Sequence, residues 1–134
     1  MTLKIAEIGL NHMGSSDYLY EYIKFLSKKK IDAITIQVLK KESLSKAHQN
    51  YYLSDKKIIN FIKLAKRKFK LVGVVTDDLD RLDIFKKLNV NFFKLTSGML
   101  KNTILYVNNN MVRCKSVSMR TDLDVMIEIK MLSK

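Results

Sequence analysis

The chain of 134 residues is 47% hydrophobic and carries 25 Lys and Arg against 13 Asp and Glu, a formal net charge of +12. Apolar residues spread along a chain of that length build one domain with a core, which excludes intrinsic disorder, and no apolar run approaches a membrane span. A single cysteine, Cys114, excludes an intrachain disulfide, and no Cys/His cluster has zinc spacing, so the sequence offers no metal site of its own.

A charge of this size draws anions, and nucleic acid, acidic lipid and phosphorylated small substrates are the classes to weigh. Most of the charge is lysine scattered over predicted helices, including KKK at 28–30 and KRK at 66–68. These runs read as solvated helix ends rather than a nucleic-acid surface, because no nucleic-acid motif or aromatic stacking platform accompanies them. The opening MTLKIAEIG enters a strand at once, which leaves no room for a signal peptide and makes the cytoplasm the expected compartment.

The first strand, near residues 4–9, holds Ile5, Ala6 and Ile8 but also Glu7, and a carboxylate inside an apolar strand needs a reason. A neighbouring lysine would be a purely structural one. Ser15, Ser16 and Asp17 then offer oxygens to a helix N-terminus, and Leu19, Tyr22, Ile23 and Leu26 recur at helical spacing. A second strand spans 32–38, and residues 40–52, with His48, Tyr51 and Tyr52, read as a long loop. Ser54 stands where a helix cap belongs, Leu53 can staple onto Ile58, and Ile58, Phe61, Ile62, Ala65 and Phe69 share a face. A third strand near 71–76, a short helix with Leu79, Leu82, Phe85 and Leu88, and a fourth strand near 92–96 follow. A brief helical stretch at 103–107, a fifth strand near 113–118 and a last helix carrying Leu123, Met126, Ile127 and Met131 complete five βα units. That alternation argues for a parallel sheet with helices packed outside it.

Three segments carry a family resemblance. AEIGLNHMG at 6–14 resembles the AEIGxNHxG opening of the sialic acid (N-acetylneuraminate) synthase family; IDAITIQ at 31–37 resembles its second-strand GADAVKFQ; and FFKLTSG at 92–98 resembles its fourth-strand FKIxSG. The resemblance implies a (β/α)8 barrel that condenses phosphoenolpyruvate with N-acetylmannosamine or a related amino sugar, a transferase reaction of carbohydrate biosynthesis. A whole barrel takes roughly 250 residues, so residues 1–134 are expected to form one incomplete barrel domain of about five βα units.

In such folds the site gathers at the C-terminal ends of the strands. The resemblance implies that Glu7 and Lys94 are catalytic and that Asn11, His12, Gln37, Thr76, Ser97 and Ser118 bind substrate. Lys94, Thr76, Ser97 and Ser118 would hold the carboxylate and phosphate of phosphoenolpyruvate, Glu7 would orient the sugar or move a proton, and His12 and Asn11 would shape the adjacent loop. Glu7, Thr76 and Lys94 are expected to converge on one face.

This chain departs from the family pattern in three places. The second-strand lysine is Thr35, the fifth-strand serine is kept at Ser118 but its glycine is lost, and the two histidines that hold a divalent metal (Mn or Mg) belong to later strands. The expectations are therefore a protein inactive as it stands, and either a homo-oligomer or a chain paired with a complementary one, because five strands bare two edges and an inner apolar face. Val72, Val74, Phe93 and Leu95 are candidates for that face or the helix-facing one. A non-catalytic remnant, a basic binding module and half of a split enzyme are the alternatives.

Overall fold

The computed structural model describes residues 4–95, 113–119 and 125–130, with side chains over residues 4–94. Strands β1 (Ile5–Ile8), β2 (Ala33–Val38), β3 (Leu71–Thr76) and β4 (Phe92–Leu95) lie side by side in chain order and pair in parallel. The connections between them carry α1 (Ser16–Leu26), α2 (Asp55–Ala65) and α3 (Leu82–Lys87). This α/β arrangement is the expected partial barrel over its first four units.

The helices begin and end for local reasons. The Ser15 hydroxyl accepts from the Tyr18 N–H and so satisfies one of the free donors at the start of α1. Ser54 occupies the corresponding position of α2 but makes no side-chain cap; there Leu53 and Ile58, both buried, hold the entry of the helix. Lys66, at the end of α2, donates to the Leu88 and Asn89 carbonyls just past α3 and satisfies two free acceptors at that terminus. Lys28–Lys30 and Lys66–Lys68 are exposed, as solvated helix ends should be.

Strand alternation sorts the sheet into two faces. Ile8, Ile36, Val74 and Phe93 form one cross-strand row and Ile34 and Val72 part of the next, and all pack against Leu19, Ile23, Ile58, Phe61, Ile62 and Phe85 from the helices. Val72, Val74 and Phe93 thus belong to the helix-facing core. The other face presents Glu7, Thr35, Gly73 and Phe92 in one row and Gln37, Val75 and Lys94 in the next. The expectation that this inner face is bare fails at Val75 and Phe92, which are 6% and 8% exposed, and holds at Ile5, which is 46% exposed on β1 at the sheet edge.

Beyond β4 the expectation of further βα units is corrected. The fifth strand exists as β5 (Arg113–Met119), but residues 125–130, expected in a helix, form β6 (Val125–Lys130). β6 lies antiparallel between β4 and β5, giving the sheet order β1-β2-β3-β4-β6-β5. The physical reason is that Val125, Ile127 and Ile129 repeat every second residue and are β-branched, a pattern that outweighs the helical spacing of Met126, Ile127 and Met131. The helical stretch expected at 103–107 lies outside the described residues.

Gly73 leaves no room for a side chain. A β-carbon there would stand 2.4 Å from the Phe92 ring, which lies over the glycine on the inner face. Gly73→Ala is therefore expected to lower the unfolding free energy by about 1–3 kcal/mol, through overpacking against a buried ring. Urea denaturation measures this, and adding Phe92→Leu should recover at least half of the loss. A Gly73→Ala protein within about 0.5 kcal/mol of the parent would show that the ring has room to move.

Candidate functional site

The inner face carries one acid and one base that meet. Glu7 projects from β1 and Lys94 from β4, and the Lys94 ammonium donates to the Glu7 Oε2. Their side chains are 40% and 21% exposed, so the pair is open to solvent and to an approaching solute. Both explanations weighed for Glu7 are thereby joined, because the lysine that satisfies it is the lysine of the FFKLTSG motif.

Around this pair the ends of β1 and β2 contribute amides. Gln37 Oε1 and Asn11 Oδ1 both flank Gly9, at 3.5 and 3.7 Å from where its β-carbon would be, so the glycine leaves space between the two amides. Asn11 is anchored from the other side, with its Nδ2 donating to the Tyr22 hydroxyl at 3.0 Å. His12 lies beneath, 1% exposed. Its Nδ1 accepts from the Gly14 N–H at 2.8 Å, which leaves the ring hydrogen on Nε2, where no hydrogen bond closes. Burial pushes the His12 imidazole below its ordinary range; the Gln37 backbone opposes this and the Lys57 charge adds to it. Gly14 itself has φ +70° and no room for a β-carbon against the Asn50 carbonyl, while its own carbonyl accepts from Lys57. The β1–α1 loop is thus locked to both the β2–α2 loop and α2.

Thr76 does not join the pair. Its register partners are Val38 and Leu95, which puts it on the opposite side of β3 from Val75, the neighbour of Gln37 and Lys94. Its hydroxyl accepts from the Asp78 N–H at 2.9 Å, shaping the turn that leaves the strand. The expected convergence therefore holds for Glu7 and Lys94 and fails for Thr76, because the last residue of a strand still alternates. Ser97 lies outside the described residues. Ser118 is in β5, which β6 separates from β4, so its strand is not the neighbour of β4 that five consecutive units would make it.

Sequence reasoning missed Arg81. It is 8% exposed and forms ion pairs with Asp78 at 3.1 Å and Asp55 at 3.3 Å; it also donates to the Leu53 carbonyl at 2.8 Å and stacks over the Tyr52 ring. Burial works against both members of the Asp78–Arg81 pair, pushing the carboxyl up and the guanidinium down, so fixed geometry holds them together. Lys40 adds a second tie, its N–H reaching Asp77 at 2.8 Å and its ammonium Asp80 at 3.1 Å, and that hydrogen bond and charge raise the Lys40 pKa. The loop of residues 40–52, two 3-10 turns at Lys41–Ser43 and Lys46–Tyr51, is clamped to the end of β3 by these contacts. The only sequence signal was the Asp78/Arg81 spacing at a helix entry.

A divalent metal does not fit the described residues: no group of three His, Cys, Asp or Glu side chains is placed to hold one. Glu7 is neutralised by Lys94, and His12 Nδ1 is occupied by the Gly14 N–H. Among the described residues no helix is long and apolar enough to cross a membrane.

The buried imidazole makes stability depend on pH. A base whose folded pKa is depressed contributes stability that is complete above its unfolded value, about 6.5, and that is lost as pH falls from there through the folded pKa. Unfolding free energy should therefore decline as pH is lowered below about 6.5. In His12→Asn, whose side-chain oxygen can still accept from Gly14, the decline should be shallower, with His48 present in both proteins. Denaturant titrations across this range give the two slopes, and equal slopes would remove His12 as the cause.

No family model matches the sequence. The chain is 35% identical over 107 residues to an uncharacterized protein of Methanocaldococcus jannaschii, an alignment covering 74% of this chain and 32% of that protein. Its structure is similar to the crystal structure of the N-acetylneuraminic acid (sialic acid) synthetase of Leptospira borgpetersenii in complex with citrate. The TM-score is 0.66 and the identity 24%, over 77% of this chain and 39% of that one. The chain thus spans about a third of the curated relative and about two fifths of the solved structure. What the solved structure shows is a shared fold: the parallel four-stranded sheet and its helices match part of the barrel of a sialic acid synthetase.

Proposed function

We propose that this chain supplies the anion-binding part of an active site that condenses phosphoenolpyruvate with N-acetylmannosamine or a related amino sugar, yielding a nine-carbon sugar acid and phosphate. The observation that carries the reading is the Glu7–Lys94 pair at the strand ends of a barrel-like sheet whose fold is that of a sialic acid synthetase. The citrate of that neighbour is itself a small polyanion.

In this reading Lys94 is the electrostatic anchor. An ammonium has three N–H donors; in the empty site one is on Glu7, and an arriving carboxylate or phosphate draws the ammonium to itself. The Gln37 and Asn11 amide oxygens border the same rim, where they accept from the sugar hydroxyls. Glu7, on the strand opposite Lys94 across the inner face, orients the sugar or accepts a proton from it. Ser97 and Ser118 are assigned hydroxyl contacts to the anion on the strength of the resemblance alone. Thr76 is left out, since its hydroxyl serves the Asp78 turn. His12 supports the loop from below, and no step is assigned to a metal. Catalysis itself is assigned to an assembly in which a second copy or a complementary chain completes the barrel.

Calorimetric titration of the chain with phosphoenolpyruvate tests the anchor. Lys94→Met should weaken binding by at least about tenfold, the value of one charge-assisted contact, while Lys28→Met at the exposed end of α1 should change it little. Equal affinity of the Lys94→Met and parent proteins would overturn the assignment.

A further inference from the structure

Among the described residues of the inner face, Thr35 carries a hydroxyl whose chemistry is left unused. It is 0% exposed, and its hydroxyl has no hydrogen-bond partner. A buried hydroxyl without a partner is a net cost that valine, of the same shape, would not incur. Its row across the sheet is Glu7, Thr35, Gly73 and Phe92, so Glu7 on the adjoining strand is the other polar side chain of that row. Neighbouring strands lie about 4.8 Å apart, a separation that a glutamate side chain spans by a change of rotamer.

We propose that Thr35 is a positioning residue that takes over the Glu7 carboxylate when an incoming anion draws Lys94 away from it. With the site empty, Lys94 holds Glu7 and the Thr35 hydroxyl waits unpartnered. An anion on Lys94 would stand beside a carboxylate that has lost its counter-charge, and the two like charges repel. The Thr35 hydroxyl offers Glu7 a charge-assisted hydrogen bond at the base of the sheet, which steadies the carboxylate and keeps it off the anion. The physiological trigger rests on the anion site proposed above, but the test needs no ligand.

Lys94→Met mimics the departed lysine, and Lys94→Gln serves if that variant does not fold. In the parent, Thr35→Val should leave the melting temperature unchanged or raise it, because it removes only an unpartnered hydroxyl. In the Lys94→Met background the same change should lower it by about 4 °C or more, because it removes the partner of Glu7. Thr35→Ser should behave as threonine in that background. The carboxyl carbon resonance of Glu7 should move between Lys94→Met and its Thr35→Val derivative. Equal shifts in both backgrounds, or serine acting like valine, would overturn the proposal. An additive cycle alongside lost phosphoenolpyruvate affinity in Lys94→Met removes Thr35 and keeps the anion site; a coupled cycle with no phosphoenolpyruvate binding keeps the role of Thr35 and removes that ligand.

Discussion

A carboxylate on the first strand touching an ammonium on the fourth is the constraint from which the rest of the site follows. In a flat sheet, strands three places apart lie about 14 Å from one another, too far for two side chains rising from one surface to meet. The Glu7–Lys94 contact therefore requires a concave inner face, which is the curvature a barrel needs. What lies between the two strands permits it: Gly73 has no side chain, the Phe92 ring occupies the space so freed, and Thr35 is small. A larger residue at position 73 would push the fourth strand outward.

The helix layer holds that curvature from outside, and the loops hold the rim. Ile8, Ile34, Ile36, Val38, Val72, Val74 and Phe93 give α1, α2 and α3 one continuous apolar surface to rest on. At the strand ends, polar clamps take over. Gly14 is closed against Asn50 and tied to Lys57, and Arg81 fastens Leu53 and Asp55 to the end of β3. Both clamps cross from one βα unit to the next, so the amides of Asn11 and Gln37 sit on a rim that adjacent units fix jointly.

Much of this was legible in the chain. The four parallel strands and three helices follow from apolar spacing and from Ser15, whose capping bond forms as read. The Glu7–Lys94 encounter was legible only through the motifs, since an acid and a lysine 87 positions apart give no local signal of contact. Thr76 was misplaced because a motif fixes the residue at a strand end but not its face, and one step of alternation carries it to the helix side. Arg81 gives only the local Asp78 spacing as a signal, because its other partners Leu53, Asp55 and Tyr52 come from the preceding βα connection. The segment at 125–130 satisfies helical and strand periods at once, and its β-branched alternation together with the pairing to β4 and β5 decides for the strand.

The central claim, that Glu7 and Lys94 pair across the curved sheet, is tested most directly by a double-mutant cycle of Glu7→Gln and Lys94→Met read as unfolding free energy. For a partly exposed pair the account predicts a favourable coupling of about 0.5–1.5 kcal/mol that shrinks as salt is raised. Effects that simply add, at low salt as at high, would mean that the two charges do not meet and that the inner face is flatter than described.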